Sequence, residues 1–300
     1  MLDRQQRYRG SLLGLAAGDA LGTTLEFRER GSFKPLTDMI GGGPFFLQAG
    51  QWTDDTSMAL CLAHSLLEKQ GFDADDQMQR YCAWRDKGYM SSNGRCFDIG
   101  VTVSEAISQY LATGNPYSGS TNPFSAGNGS LMRLAPVVMY FSPDAEKALH
   151  YAGESSRTTH AAKECIDACR YFAALLHTAF AGEVSKEALL ATDLYTPTSK
   201  KVTAISQGSY RDKSRDQIKG SGYVIDCLEA ALWCFLNTDS LEEALLLAAN
   251  LGDDADTTAA VCGQLAGAWY GEAGLPSHWL EKLTQAEEIG LLAERLCKSQ

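Results

Sequence analysis

Apolar residues along most of the chain recur at the three- and four-residue spacing of amphipathic helices. The segment DDTSMALCLAHSLLEKQG, for example, opens with polar capping residues and closes at Gly71. The sustained alternation of apolar and polar residues that indicates strands is absent from the sequence. We therefore predict an all-α protein, with helices over residues 10–22, 54–71, 162–180, 223–237, 241–250 and 256–271.

Glycine, serine, asparagine and proline gather between these predicted helices. Segments of this composition form surface connections or binding loops. They lie at residues 31–51, 89–100, 113–130 and roughly 193–222. None keeps a polar bias long enough to be an interdomain linker, and no repeat of fixed period occurs. We therefore predict one compact domain over residues 1–300.

Charge and cysteine content narrow the choice of partners and compartment. The net charge of −11 argues against non-specific binding to nucleic acid or to an anionic membrane. The N-terminal segment MLDRQQRYRG is polar, and glycines interrupt the next apolar run, so we expect neither a signal peptide nor a membrane span. The nine cysteines form no CxxC pair, which favours reduced, buried thiols. We expect a monomeric, cytoplasmic protein.

Two acidic clusters stand directly before predicted helices, TDDT at residues 53–56 and DDADTT at residues 253–258. Helix capping is one interpretation of each cluster, because Asp and Thr are common capping residues. Capping does not need adjacent aspartates, however, and here they occur twice. Oxygen-rich clusters suit Mg²⁺, Mn²⁺ or Ca²⁺, and the EF-hand pattern is missing. The pair favours two cations that share bridging carboxylates.

The segment AAGDALGTTLEF contributes two more carboxylates, Asp19 and Glu26. If the first helix ends near Gly22, Glu26 lies on the following loop and can reach into a site. Asp19 lies within a helix of small residues. Such an acid is equally compatible with a hydrogen bond to the backbone of a neighbouring loop.

The segment SAGNGSLMRLAPV places Gly127 and Gly129 on either side of Asn128. We predict that Ser130 begins a helix that ends before Pro136. A glycine-rich turn that leads into a helix presents backbone N–H groups to anions, so the segment is a candidate phosphate-binding loop. An ordinary turn is the alternative, because the segment is neither a Walker A loop nor a complete GxGxxG motif.

Taken in chain order, these segments resemble the ADP-ribosylglycohydrolase family. The resemblance spans nearly the whole chain and rests on GDALGTTLE (18–26), WTDDT (52–56), FDIG (97–100), GNGSLMRLAP (127–136), TTH (158–160) and GDDADTTAA (252–260). It implies a compact orthogonal helical bundle with two Mg²⁺ (or Mn²⁺) ions. It also implies removal of ADP-ribose from modified protein side chains, most often arginine, with free ADP-ribose as the product.

The resemblance implies a role for each matching residue. The metal ligands would be Thr53, Asp54, Asp55, Asp254, Asp256 and Thr257. Glu26 is the first candidate to orient or deprotonate water, with Asp55 and Asp98 as alternatives for proton handling. Asp253 is interpreted as a bystander or as a residue that supports the ligands without touching the metals. The substrate-binding residues would be Gly100, Ser125, Gly127, Asn128, Gly129, Ser130, Met132, His160 and Tyr223.

Two of these substrate-binding residues depend on the resemblance more than the others. His160 matches a family histidine near the phosphates or the distal ribose, and Tyr223 matches the aromatic residue that stacks on adenine. Taken alone, each residue would be interpreted as structural, His160 through its hydrogen bonds and Tyr223 at the edge of the core.

Three other functions stay open at the level of sequence. The same scaffold could act on ADP-ribosyl-serine, O-acetyl-ADP-ribose or another conjugate of ADP-ribose. A non-catalytic ADP-ribose-binding relative would have lost metal ligands, whereas every ligand position is filled here. A two-metal phosphohydrolase would use the same aspartate chemistry, but such enzymes usually add histidine ligands, and neither acidic cluster contains a histidine.

Overall fold

The computed structural model describes residues 2–182 and 184–299, which fold into helices joined by loops. The α-helices of these residues are α1 (Arg4–Gly22), α2 (Asp54–Lys69), α3 (Ala74–Lys87), α4 (Val101–Thr113), α5 (Ala135–Phe141), α6 (Ala145–Arg157), α7 (Lys163–Ala181), α8 (Lys186–Leu189), α9 (Lys200–Ser206), α10 (Val224–Leu236), α11 (Leu241–Ala249), α12 (Ala255–Tyr270), α13 (Ser277–Lys282) and α14 (Ala286–Lys298). Short 3₁₀ helices occur at Thr23–Leu25, Pro123–Ser125, Arg215–Gln217 and Glu272–Gly274. In the described ranges β-pairing is limited to three isolated bridges, which confirms the all-α prediction.

All six helices predicted from periodicity are present, and five of them match the predicted ends to within about two residues. The exception is α1, which begins at Arg4 instead of residue 10. Asp3 accepts a hydrogen bond from the backbone N–H of Gln6, while the Gln6 side chain accepts one from the backbone N–H of Asp3. This reciprocal capping extends the helix through the polar N-terminal segment.

The helix predicted to begin at Ser130 and to end before Pro136 is wrong. Residues 129–133 form turns, and α5 begins at Ala135 with Pro136 in its first turn. Proline fits that position because the N–H groups of the first turn have no partner within the helix. The longer helices α3, α4, α6 and α14 were not predicted, and α9 lies inside a predicted loop.

Helices α1 and α12 pack against each other through glycine and alanine along most of their lengths. A Cβ atom added at Gly14 would lie 2.5 Å from the carbonyl oxygen of Gly263, and one at Gly18 would lie 2.3 Å from that of Ala259. Such distances leave no room for side chains between the two backbones. We call this contact the glycine seam; its residues are Gly10, Gly14, Gly18 and Gly22 of α1 and Gly267, Gly263, Ala259 and Ala255 of α12.

The glycine seam runs antiparallel, so the C-terminal end of α1 meets the N-terminal end of α12. Buried apolar side chains from Tyr8 to Leu296 form the hydrophobic core around these helices. No helix within the described ranges combines the length and the apolar character needed to cross a bilayer.

Candidate functional site

A cluster of carboxylates lies where α1, α2 and α12 meet. Asp54 and Asp55 belong to the first turn of α2, and Asp256 belongs to the first turn of α12. Glu26 follows the 3₁₀ helix that extends α1, so the predicted placement of Glu26 on a loop is confirmed. Asp98 joins them from the loop before α4. The antiparallel seam explains why residues so distant in sequence meet at one end of the helices.

Asp19 fastens the start of α2 to α1. Its Oδ1 accepts hydrogen bonds from the backbone N–H and the hydroxyl of Thr53, at 2.8 and 2.9 Å. Its Oδ2 accepts from the backbone N–H and the hydroxyl of Thr56, at 3.0 and 2.6 Å. Asp19 therefore caps α2 from another helix, and the interpretation that it bonds a neighbouring backbone is confirmed.

The carboxylates form two groups that share Asp256. Within each group, one oxygen atom of every member lies within 4.8 Å of the others. The first group is Asp19, Asp55 and Asp256, and the second is Glu26, Asp98 and Asp256. The hydroxyl oxygens of Thr53 and Thr257 also lie 3.2 and 3.5 Å from Asp55 Oδ2.

Burial and mutual repulsion oppose ionisation of these groups. Burial is the main cause that raises the pKa of Asp19 to about 6, of Asp98 to about 7 and of Glu26 to about 9. The pKa values of Asp54, Asp55 and Asp256 also lie well above the usual range, through burial and then through neighbouring carboxylates. The cluster therefore needs either protons or cations to balance its charge.

Two oxygen atoms of the cluster favour cations as the means of balancing the charge. Asp55 Oδ1 and Glu26 Oε2 are buried and accept no hydrogen bond from any described residue. A buried carboxylate oxygen without a partner is costly, and a bound cation would remove that cost. Since all the donor atoms are carboxylate and hydroxyl oxygens, the set fits a hard cation such as Mg²⁺ or Mn²⁺. The acidic cluster can thus hold metal ions.

A cleft of about 340 Å³ extends from the carboxylates to the glycine-rich loop at residues 127–132. Its acidic end is lined by Glu26, Asp54, Asp98, Asp254 and Asp256, and its other end by Gly127, Asn128, Gly129, Met132 and His160. A separate, largely apolar cavity of about 390 Å³ lies between α2 and α14 and shares no lining residue with the cleft. Of these two cavities, the cleft is the one lined by the carboxylate cluster.

Asn128 ties the glycine-rich loop to the acidic cluster. Its side-chain amide donates to Asp254 Oδ2 at 2.9 Å, and its backbone N–H donates to Gly222 at 3.1 Å. The backbone N–H groups of Gly129 and Ser130 donate to no other described residue. The loop therefore retains donors for an anionic ligand, as the phosphate-loop prediction requires.

The imidazole of His160 packs against this loop. A Cβ atom added at Gly129 would lie 2.7 Å from Cε1 of His160, and one at Gly127 would lie 3.4 Å from Nε2. Glycine at both positions is what allows the ring to approach. Burial, with the charge of Arg133 as a smaller cause, lowers the pKa of His160 to about 3, so the ring is neutral at physiological pH.

The structure brings most of the predicted site residues to the cleft. Glu26, Asp54, Asp98, Gly100, Gly127, Asn128, Gly129, Met132, His160, Asp254, Asp256 and Thr257 line it. Thr53 and Asp55 are buried behind them. Thr53 and Asp55 are therefore not part of the cleft lining, and neither are Ser125, Ser130 and Tyr223.

Ser125, Ser130 and Tyr223 have partners of their own. The Ser125 hydroxyl donates to the carbonyl of Asn122 at 2.8 Å. The Ser130 hydroxyl accepts from Ser156 at 2.8 Å. The Tyr223 hydroxyl, at the start of α10, donates to Glu164 and accepts from Lys201. Their roles toward a substrate stay predictions.

Sequence reasoning passed over several residues of this region. The sequence left Asp19 open between a structural hydrogen bond and a place in the site, and it has both, since it also belongs to the first carboxylate group. Phe27 and Val101 line the cleft and are exposed, at 69% and 74%. Phe27 follows Glu26 directly, and Val101 follows Gly100. Their position next to predicted site residues is the one feature of the sequence that could have indicated them.

Comparison with known proteins shows the family to which the chain belongs. The sequence model of the ADP-ribosylglycohydrolase family matches residues 1–300. ADP-ribosylarginine hydrolase Tri1 of Serratia proteamaculans (strain 568) is 46% identical over 290 residues, which are 97% of this chain and 78% of that protein. ADP-ribosyl-[dinitrogen reductase] glycohydrolase of Rhodospirillum rubrum is 32% identical over 94% of this chain and 92% of its own length.

More distant and structural relatives extend the comparison. ADP-ribosylhydrolase ARH3 of Homo sapiens is 26% identical over 97% of this chain and 92% of its own length. A solved structure described as an ADP-ribosylglycohydrolase-related protein complex has a TM-score of 0.86 and 42% identity, and the match covers 99% of both chains. The chain belongs to the ADP-ribosylglycohydrolase family of hydrolases.

Proposed function

We propose that this protein is a metal-dependent hydrolase that removes ADP-ribose from ADP-ribosylated arginine side chains of proteins. The observation that carries the proposal is the pair of carboxylate groups that share Asp256 at one end of the cleft. Relatives at 46% identity are named for arginine-linked ADP-ribose, which favours that linkage over serine or O-acetyl conjugates.

The cofactor in this proposal is a pair of Mg²⁺ or Mn²⁺ ions. They would be held by Thr53, Asp54, Asp55, Asp254, Asp256 and Thr257. When bound, such ions balance the charge of the carboxylates and lower the pKa of coordinated water. The unpartnered oxygen of Asp55 and the sharing of Asp256 support two ions instead of one.

The remainder of the cleft suits the diphosphate of ADP-ribose. The backbone N–H of Gly129, which lines the cleft and has no other described partner, supplies a donor, and His160 stands beside it. Asn128, which bonds Asp254, keeps this loop at a fixed distance from the carboxylates. In this arrangement the reacting ribose lies at the acidic end, and the adenine extends toward Tyr223.

Two acids at the acidic end are suited to proton transfer. Glu26 and Asp98 line the cleft, and burial raises the pKa of both. We assign Glu26 to orient or deprotonate the attacking water, with Asp98 and Asp55 as alternatives for the proton of the leaving group. The reaction passes through an oxocarbenium-like state, which nearby carboxylates stabilise electrostatically.

An arginine leaving group also suits the mouth of the cleft. A guanidinium group is cationic, and Asp98 lines the cleft together with Val101. We further propose that the chain acts as a single domain and as a monomer in the cytoplasm. All nine cysteines are unpaired, which supports a reducing compartment.

The test is release of free ADP-ribose from a mono-ADP-ribosylated arginine substrate, with Mg²⁺ and then with EDTA. We expect release with Mg²⁺ and none with EDTA. A matched serine-linked substrate decides the linkage in the same assay. Asp256→Asn serves as the inactive control, since it removes the shared charge and keeps the side-chain shape. Turnover in metal-free protein would contradict the proposal.

A further inference from the structure

Arg133 is a buried cation without an acidic partner. Its side chain is fully buried, and it forms no ion pair with any described residue. Its Nη2 donates to the Ser155 carbonyl at 3.2 Å and to the hydroxyls of Thr158 and Thr159 at 3.3 and 2.8 Å. The guanidinium also lies 4.8 Å from the centre of the Tyr81 ring. Burying an unpaired charge is costly, so this arrangement needs a physical reason.

The hydroxyl of Thr159 links Arg133 to His160. It is fully buried and lies 2.8 Å from Arg133 Nη2 and 2.8 Å from His160 Nδ1. Because arginine can only donate, the hydroxyl oxygen accepts from Arg133. In the described residues Nδ1 of His160 is the one other hydrogen-bond partner of this hydroxyl. The Thr159 hydroxyl therefore donates its proton to Nδ1. If Nδ1 were the donor instead, the hydroxyl proton would be buried without an acceptor.

The direction of this bond fixes the other ring nitrogen. A neutral imidazole carries one proton, and if Nδ1 accepts, that proton is on Nε2. Nε2 lies on the side of the ring that faces the loop: a Cβ atom added at Gly129 would lie 3.1 Å from it, and one added at Gly127 would lie 3.4 Å from it. The unpartnered backbone N–H of Gly129 is on the same loop. The cleft then offers an anion an N–H donor from His160 in addition to the backbone N–H of Gly129. With the opposite tautomer it would offer a lone pair, which repels an anion.

We infer that Arg133 is a positioning residue that acts through Thr159 to hold His160 as the Nε2–H tautomer, so that the cleft presents a neutral N–H donor to the diphosphate of its substrate. The inference rests on the proposed function for the identity of that anion. The direction of the hydrogen bonds stands independently of it.

The first test is NMR of the full-length protein labelled with ¹⁵N in its five histidines. Long-range ¹H–¹⁵N correlations distinguish a protonated ring nitrogen from an unprotonated one, and His160→Gln assigns the signal. We expect an unprotonated Nδ1 and a protonated Nε2. A protonated Nδ1 overturns the inference, whether or not the protein binds ADP-ribose.

The second test compares two threonines that accept from the same guanidinium. Thr159→Val removes the link to His160, whereas Thr158→Val removes a bond to Arg133 that leads to the Ser155 carbonyl instead. We expect Thr159→Val to move the His160 signals toward a mixture of tautomers. It should also weaken ADP-ribose binding about tenfold, the value of one hydrogen bond to an anion.

Thr159→Ser should restore both the tautomer and the affinity, and Thr158→Val should change neither. If the two valine variants give the same His160 signals and the same Kd, Thr159 has no special role and the inference fails. If wild-type protein shows the expected tautomer but binds no ADP-ribose, the proposed function fails while the hydrogen-bond relay stands. Arg133→Met, checked for folding by its melting temperature, should reproduce the tautomer mixture of Thr159→Val.

Discussion

The glycine seam and the carboxylate cluster lie on the same two helices but have opposite physical character. Along the seam, α1 and α12 meet backbone to backbone with no side chains between them. At the end of the seam, six acids with mutual repulsion lie near the start of α12, and their pKa values are raised by burial. The first region stabilises the fold, and the second one destabilises it unless cations are bound.

This contrast shows how a chain can keep repelling carboxylates close together. Close packing without flexible side chains leaves α1 and α12 few ways to move apart. Asp19 then fixes the start of α2 against α1 through four hydrogen bonds. The carboxylates are thereby held in place without a cation, and a preorganised metal site of the kind proposed requires such rigidity.

The greatest loss of stability should come from a substitution within the glycine seam. Gly14→Val would place a Cβ 2.5 Å from the backbone oxygen of Gly263, so the two helices must separate. We expect a loss of about 3 kcal/mol or more in the free energy of unfolding, together with loss of activity. Thermal unfolding and ADP-ribose release measure both. Ala112→Val, on the exposed face of α4, is the control, and a comparably small change at Gly14 would contradict the close packing.

Removing one charge from the cluster should abolish activity but stabilise the metal-free protein. Asp256→Asn keeps an oxygen for the Thr257 backbone N–H, which donates to Asp256 Oδ1 at 2.8 Å. It also removes the charge that both carboxylate groups share. We expect activity with Mg²⁺ to be abolished and the melting temperature in EDTA to rise. A variant that is less stable than wild type in EDTA would show that repulsion between carboxylates is not what limits the stability of the metal-free protein.

The pH dependence of the metal-free protein tests the same repulsion. Burial raises the folded-state pKa of Asp98 to about 7 and of Glu26 to about 9, from ordinary values of 3.8 and 4.5. The folded state therefore binds more protons than the unfolded state between these values, and stability falls as pH rises. In EDTA, we expect the melting temperature to be highest near pH 4 and to decline toward pH 9.

Two further measurements refine this pH experiment. Asp98→Asn should reduce the decline in melting temperature below about pH 7, because the titration of Asp98 causes that part of the decline. Saturating Mg²⁺ should reduce the decline, since a cation replaces the protons that the cluster loses. A melting temperature that rises with pH in EDTA would reverse the predicted sign and exclude the explanation.

Among these residues, Asp253, in the loop directly before α12, should tolerate substitution best. Its backbone is in the left-handed conformation with φ of 58°, and its side chain is exposed. Its backbone N–H and carbonyl pair with Arg28 and Phe27, so the loop is held by main-chain atoms that any residue supplies. Asp253→Gly should change stability by less than about 1 kcal/mol and leave kcat unchanged. A large loss of activity would show that Asp253 is a ligand.

Much of this architecture follows from local sequence. The period of apolar residues indicated six helices, and the end of α1 at Gly22 placed Glu26 on a loop beside the site. The paired Thr/Asp clusters indicated where α2 and α12 begin. These features depend on residues within one or two turns of each other, where a pattern is informative.

Other features depend on residues that are distant in sequence and could not be predicted in the same way. A proline can either follow the end of a helix or stand in the first turn of one. Pro136 stands in the first turn of α5, and the local sequence does not distinguish the two cases. The small residues of α1 and α12 suggested close packing, but not which helices would meet. The buried hydrogen bonds of Arg133 join α6 to the loop before α5, and no local pattern marks that pairing.

The seam also bears on how the chain folds during synthesis. Ser11 of α1 donates to Gln264 of α12, a residue 253 positions later. On the ribosome, α1 leaves the exit tunnel early and must remain without its partner until nearly the whole chain has been translated. The proposed metal site cannot assemble before that point, because Asp254, Asp256 and Thr257 lie at the start of α12. Nascent chains that end before α12 should therefore lack the site, and their glycine-lined helix should be available to chaperones.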